Sequence, residues 1–338
     1  MREVLVTGGA GFIGSHFVKR LLRGGGPARV TVLDALTYAG NTDNLREVWD
    51  RPDFAFVKGD ILDEALVSDL VAAHDAVVHF AAESHVDRSF AAAGRFVSTN
   101  VQGTQTLLEA AMRLGVRKFV HVSTDEVYGP LPSGTAREGD PLRPTTPYAA
   151  SKAAGDMVAV SYFHTYGVPV CITRSSNNYG PGQHIEKVIP SFVSRLLGGG
   201  RIGLHGNGEH VRNWLHVEDH CRGVELVLRH GVPGEVYNIG GGTDLTNNEL
   251  TALVLRACGA DWDSVDYVAD RRSNDIRYSL SWEKIANDLA YLPVTSFADG
   301  LVETVDWFRA NPDRWAPTRP RADADRLPAM RGPGPDAG

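Results

Sequence analysis

Tyr148 and Lys152 stand four residues apart in Tyr148-Ala149-Ala150-Ser151-Lys152. On a helix that spacing sets both side chains on one face. A free phenol has a pKa of about 10 and is a poor base at neutral pH. A nearby ammonium favours the phenolate and lowers that value. Such a pair can take the proton of a hydroxyl while the same carbon loses a hydride. Two residues on a solvated helix would show the same spacing, so a second signal matters. It is Ser123-Thr124-Asp125-Glu126-Val127-Tyr128-Gly129. Thr124 can hydrogen-bond a substrate hydroxyl beside Tyr148. Asp125 and Glu126 are adjacent acids, and acids in different surroundings can hold opposite protonation states. One can then remove a proton while the other protonates a departing hydroxyl, which is the chemistry of water elimination.

A hydride needs an acceptor. The chain opens on a short apolar run, residues 4–6, that leads into Thr7-Gly8-Gly9-Ala10-Gly11-Phe12-Ile13-Gly14. Gly8 permits a tight turn, and Gly11 lets a pyrophosphate approach backbone N–H groups at a helix N-terminus. Gly14 lets helix and strand pack closely. Phe12 and Ile13 lie inside the same turn. Asp34 follows Gly14 by twenty residues, at the end of a second apolar run. A carboxylate there accepts hydrogen bonds from ribose hydroxyls, which favours NAD over NADP. The positive nicotinamide adds to the lowering of the Tyr148 pKa, and Lys152 can also bind the cofactor ribose. Asp60 and Ile61 sit where an adenine contact is common. A surface aspartate is the alternative for Asp60.

Elements of fixed geometry must hold these groups. Residues 4–6, 30–33, 54–57, 76–80 and 119–122 read as buried parallel strands, and 168–173 as another. Helical patterns separate them at residues 15–23 and 65–73 and at Gly103–Leu114, with a further helix from Pro147. This alternation predicts an α/β fold, a Rossmann-type doubly wound parallel sheet with a smaller C-terminal domain. Residues 1–180 are expected to form the NAD-binding domain, with a late strand at 235–240 returning to it. Residues 181–315 are expected to be mostly substrate-binding, with helices at Asn247–Cys258 and 281–288. The tail 316–338 is rich in Pro, Arg, Asp and Gly and is expected to be disordered.

The chain has 338 residues and a formal net charge of −7, which argues against a nucleic-acid partner. Its three cysteines, Cys171, Cys221 and Cys258, have no framework spacing. They point to small buried hydrophobes in a reducing compartment, and the chain is expected in the cytoplasm. No apolar run is long enough for a membrane span. No metal is expected.

Further segments recur in order. They are Phe80-Ala81-Ala82-Glu83-Ser84-His85-Val86-Asp87-Arg88-Ser89, Ser175-Ser176-Asn177-Asn178-Tyr179-Gly180-Pro181, Glu186-Lys187-Val188-Ile189-Pro190, Arg212-Asn213-Trp214 and Val236-Tyr237-Asn238-Ile239-Gly240-Gly241. With Thr124-Asp125-Glu126 and the Tyr148/Lys152 pair, they resemble the dTDP-glucose 4,6-dehydratases of the extended short-chain dehydrogenase/reductase family, over about residues 2–310. The resemblance implies a lyase with tightly bound, recycled NAD and a nucleotide-sugar substrate. It places Ala81 against the cofactor. It assigns substrate contacts to Ser84, Asn177, Asn178, Glu186, Lys187, Arg212, Asn247 and Arg271. It also implies a homodimer through Gly103–Leu114 and residues 148–164.

Departures exist. Asp270-Arg271-Arg272-Ser273-Asn274-Asp275 stands where the family commonly has Asp-Arg-Pro-Gly-His-Asp. Ile185 replaces a proline, and Phe90 replaces Ile or Leu. These leave the nucleotide and sugar open and do not touch the catalytic set. A UDP-sugar dehydratase, with 4,6- or 5,6-elimination, keeps much of that set. A C4 epimerase shares the first oxidation but has no use for the acidic pair. A silent NAD-binding regulator often lacks the Tyr or Lys. An oxidoreductase with net turnover would accumulate NADH.

Overall fold

The computed structural model describes residues 1–23, 29–270 and 275–315. Arg271, the 272–274 departure and the 316–338 tail lie outside the described residues.

Seven parallel strands form the main sheet: β1 (Glu3–Thr7), β2 (Arg29–Asp34), β3 (Phe54–Lys58), β4 (Ala76–His79), β5 (Lys118–Thr124), β6 (Val170–Ser175) and β10 (Val236–Ile239). Their spatial order is β10-β6-β5-β4-β1-β2-β3. The order reverses between β1 and β4, and such a switch point opens a crevice at the strand C-termini. Alternate residues fill the two faces of a first, sheet-centred core, because side chains on a strand point to opposite faces. Val4, Val6, Ala76, Val78, Val120 and Val122 pack on one side, with α1 (Phe12–Arg23) and α8 (Val217–His230). Leu5, Val77 and Phe119 pack on the other, with α2 (Glu64–Ala72), α5 (Gly103–Leu114) and α6 (Pro147–Tyr166).

Between β4 and α5 the chain forms α3 (Val86–Ala91), α4 (Ala93–Val97) and a π turn at Ser98–Gln102, none of which the sequence pattern separated. Thr146 caps α6 by accepting from Ala149 N, Pro147 occupies its first turn, and Gly167 closes it in the left-handed region. That closure explains why β6 begins at Val170 rather than 168: the Val168 N–H still donates to the Tyr162 carbonyl.

The chain re-crosses after β6. Elements α8 and β10, with α10 (Glu283–Leu289), contribute to the first core. A second core gathers β7 (Asn177–Tyr179), β8 (Ile202–His205), β9 (Val211–His216), α7 (Val188–Leu197), α9 (Asn247–Cys258), α11 (Phe297–Ala310) and α12 (Pro312–Trp315). Strands β11 (Thr243–Thr246) and β12 (Val265–Val268) complete small sheets with β9 and β8. Thr246 and Glu249 form a capping box that starts α9.

Candidate active site

One cavity of about 660 Å³ runs along the C-terminal ends of the main strands, between the two cores. Gly8, Gly11, Phe12, Ile13 and Gly14 line it from the β1–α1 turn, Asp34 from the end of β2, Asp60 and Ile61 from the end of β3, and Ala81 from the end of β4. Thr124, Asp125, Glu126, Tyr148 and Lys152 line its middle. Ser84 lines it from the loop after β4, and Asn177, Asn178 and Lys187 line it from β7 and the start of α7.

The cofactor half fits a dinucleotide. Gly8 has φ +70, and a Cβ on it would fall 2.6 Å from Ala81 N. A Cβ on Gly14 would collide with the Gly8 carbonyl oxygen. Only glycines let this turn lie so close to the strand ends. The two Asp34 carboxylate oxygens accept from Ala10 N at 2.9 Å and Leu36 N at 2.8 Å. Burial pushes the Asp34 pKa up, and those two N–H bonds oppose the rise. Asp60 is exposed and holds its turn by accepting from Leu62 N at 3.0 Å.

The candidate catalytic half is arranged by β5 and α6. Thr124 ends β5 and its hydroxyl accepts from Glu126 N at 3.3 Å. Asp125 is 3% exposed. Burial first, and the Glu126 charge second, push its pKa up to about 8, so at neutral pH it keeps its proton. The nearby Arg212 charge opposes that rise. Tyr148 is hydrogen-bonded to the Thr124 side chain.

One sequence expectation is corrected here. The Tyr148 phenol is pushed up by burial and by the Glu126 charge, not lowered by its lysine neighbour. Lys152 is turned away: its ammonium donates to the Val122 carbonyl at 2.8 Å. Burial lowers the Lys152 pKa to about 8, against the Asp156 charge.

A buried polar cluster sits behind Lys152. The Arg174 guanidinium donates to Asp156 at 2.9 Å, and His121 Nε2 lies 3.3 Å from the same carboxylate. In front, Asn100 on the π turn donates to Ser151 Oγ at 2.8 Å and to the Glu83 carbonyl at 3.0 Å. It also accepts from Glu83 N at 2.8 Å. A π turn bulges a side chain out of helical register, and here it ties the catalytic helix to the loop after β4.

Other substrate candidates are placed differently. Lys187 donates to the Ser84 carbonyl at 2.8 Å, at the start of α7. Asn178 Oδ1 lies 2.9 Å from His220 Nδ1. Burial drives the His220 pKa down to about 3, which keeps the ring neutral. Glu186, Arg212 and Asn247 are not among the residues lining the cavity. Glu186 is gripped by both ends of the Arg88 guanidinium. Arg212 stacks over Tyr278 at 4.8 Å, and Asn247 opens α9 with its N–H on the His210 carbonyl at 2.9 Å.

The sequence pattern missed several lining residues, among them Tyr38, Asn44, His220, Trp307 and Arg314. The turn-rich Tyr38-Ala39-Gly40-Asn41 run directly after Asp34 was the available signal for the first two. Nothing in the spacing marked the others.

Comparison with known proteins agrees with this geometry. The family model described as GDP-mannose 4,6 dehydratase matches residues 5–304. The dTDP-glucose 4,6-dehydratase of Streptomyces antibioticus is 55% identical, covering 98% of this chain and 100% of its own. The crystal structure of the dTDP-glucose 4,6-dehydratase of Streptomyces venezuelae, with NAD and dTDP bound, superposes with a TM-score of 0.91. It is 57% identical and covers 93% of this chain and 99% of that one. A UDP-glucose 4-epimerase of Thermotoga maritima shares the fold, with a TM-score of 0.85, at 32% identity over 92% of this chain and 99% of that one. No helix among the described residues is long and apolar enough to cross a membrane. A glycine-lined dinucleotide cradle, an acidic pair held in unlike surroundings and near full-length similarity converge: the chain belongs to the GDP-mannose 4,6-dehydratase family and, within it, to the NAD-dependent dTDP-glucose 4,6-dehydratases.

Proposed function

We infer that this chain converts dTDP-glucose to dTDP-4-keto-6-deoxyglucose, with the chemistry divided among five side chains. When bound, NAD supplies the hydride acceptor and donor of the cycle, and the positive charge of its oxidised ring favours the phenolate that Tyr148 must become. Tyr148 takes the C4 hydroxyl proton, and Thr124 holds that oxygen by a hydrogen bond. Lys152, bonded to the Val122 carbonyl, keeps further N–H groups as hydrogen-bond donors for the cofactor ribose. The resulting ketone acidifies the C5 proton. Glu126 removes that proton, and Asp125 gives its own to the C6 hydroxyl, which leaves as water. Glu126 then returns its proton to C5 as C6 is reduced. The proton gained by Tyr148 balances the one Asp125 gave to water.

The feature that carries this reading is the unlike surroundings of the acidic pair: Asp125 is buried, with its pKa raised by burial and by the Glu126 charge, while Glu126 is half-buried. A C4 epimerase needs no such pair. Gly8, Gly11, Phe12, Ile13, Gly14, Asp34, Asp60, Ile61 and Ala81 hold the cofactor in this reading. Ser84, Asn177, Asn178 and Lys187 face the nucleotide sugar, with Arg212 close to Asp125.

The chain acts as a homodimer through α5 and α6. Met157 on α6 is 65% exposed and Tyr166 57%, an apolar outlay that a helix pairing would cover. The three cysteines are free, as suits the reducing cytoplasm.

The test is incubation without added NAD, with dTDP-glucose, UDP-glucose or UDP-N-acetylglucosamine, followed by mass. Loss of one water from dTDP-glucose is the expected result. Loss only from a UDP-sugar overturns the substrate assignment and keeps the reaction. No loss of water from any of them, with NAD bound, overturns the reaction.

A further inference from the structure

The cofactor must stay bound while its hydride is parked, because release between the oxidation and reduction steps strands a half-finished sugar. Residues from the far end of the chain sit over its half of the cavity. Trp307, Phe308, Arg314 and Trp315 line the same cavity as the Gly8–Gly14 turn. Arg314 Nη2 donates to Asn44 Oδ1 at 2.6 Å, and Nη1 to the Asp43 carbonyl at 3.4 Å. Asn44 in turn donates to the Ala10 carbonyl at 2.9 Å. Ala10 N donates to Asp34 at 2.9 Å. A line of hydrogen bonds therefore joins α12 to the glycine-rich turn and on to the ribose-side carboxylate.

The arginine is itself held in place. Its guanidinium lies 5.8 Å from the Trp307 ring centre. The next residue, Trp315, is 5% exposed and donates from Nε1 to the Phe308 carbonyl at 2.7 Å. The indole anchors α12 on the second core, and Arg314 reaches across to the segment after β2. A planar fork of donors suits this bridge, and a lysine would supply a single point.

We propose that Arg314, anchored by Trp315, is a positioning residue that clasps the cofactor half of the cavity shut and slows NAD release. The proposal rests on the recycled-NAD reading above. Asn44 is bonded directly to the glycine turn, so a dinucleotide held on that turn lies beside the pair and is covered on the α12 side by Trp307, Phe308 and Arg314. The Asp43 carbonyl and the Asn44 amide are neutral acceptors for the guanidinium, so the clasp can open without breaking an ion pair.

The experiment loads the full chain with NAD, adds an excess of isotopically labelled NAD, and follows exchange by the mass of released cofactor. No sugar is present. Arg314→Met keeps the stem and removes the fork. It is expected to exchange NAD at least about tenfold faster, and to lose NAD on purification. Arg314→Lys is expected to fall between the two. Asn44→Ala cuts the clasp from the other side and keeps the test open if Arg314→Met fails to fold. Its exchange is expected to speed up as well, and combining it with Arg314→Lys to add little. Exchange at the unaltered rate in a folded Arg314 or Asn44 variant overturns the clasp alone. An unaltered chain that holds no NAD overturns the recycled-cofactor reading and the clasp together.

Discussion

Asp125 and Glu126 are neighbours in one 3-10 turn, yet Asp125 is buried and Glu126 half-buried, and the charge of the second helps hold the proton on the first. The pair is therefore a ready acid beside a ready base. Asp125→Asn and Glu126→Gln are expected to leave C4 oxidation intact and to cut turnover by about 10²–10⁴-fold. NADH absorbance should persist with dTDP-glucose in both. In deuterated water Asp125→Asn should still exchange the C5 hydrogen, and Glu126→Gln should not. Exchange in the reverse pattern would swap the two roles.

The same carboxyl sets a pH dependence with a definite sign. Asp125 has a folded-state pKa of about 8 against an ordinary value of 3.8. Between those values the folded chain holds a proton that the unfolded chain has released. The contribution to stability is full below the lower value and is lost as pH rises through about 8. Asparagine does not titrate. The Tm of Asp125→Asn relative to the unaltered chain should thus climb as pH is raised across this window. A constant difference across the window would contradict the burial argument. Activity should fall only as pH rises through about 8, where folded Asp125 loses its proton.

The candidate cofactor turn and the candidate catalytic set were legible because each lies within a few residues at a strand end or on one helix face. Gly8, Gly11 and Gly14 come from one turn, and Tyr148 and Lys152 from one helix. The main sheet was legible for a similar reason, as short apolar runs punctuated by turn residues. Arg314 and Asn44 meet across 270 residues, and no local spacing encodes such a meeting. Glu186 shows the opposite case. Its motif was visible, but the partner that occupies it, Arg88, comes from α3 and 98 residues away. The direction of Lys152 was hidden too, since helix periodicity fixes a face and not which carbonyl a long side chain reaches.

Asp156 anchors the floor beneath Lys152, and its removal tests how much that floor supports. Burial alone would raise its pKa, but His121 and the Arg174 charge hold it below its ordinary value. Asp156→Ala leaves the Arg174 guanidinium buried without this partner. Breaking a buried pair in this way costs about 3–5 kcal/mol. Urea unfolding should show a loss of that size, with a lowered midpoint and an unchanged slope. A loss under about 1 kcal/mol would mean that the cluster relaxes to water.

Gly8 offers the sharpest test of the cofactor cradle. Its φ of +70 lies in the left-handed region, and a Cβ there would meet Ala81 N at 2.6 Å and Ala81 Cα at 2.7 Å. Both neighbours are backbone of the loop after β4, so no side chain can swing aside. Gly8 N also donates to the Leu33 carbonyl at 2.8 Å, which ties the turn to β2 one residue before Asp34. Gly8→Ala must therefore push the turn away from both strand ends, and strain of this kind costs about 1–3 kcal/mol. The displaced turn carries Gly11 and the start of α1, the groups expected to face the pyrophosphate. The variant should fold with a lowered Tm and be isolated with little NAD, and excess NAD should raise its Tm less than that of the unaltered chain. Full NAD content in Gly8→Ala would show that the β1–α1 turn does not carry the cofactor.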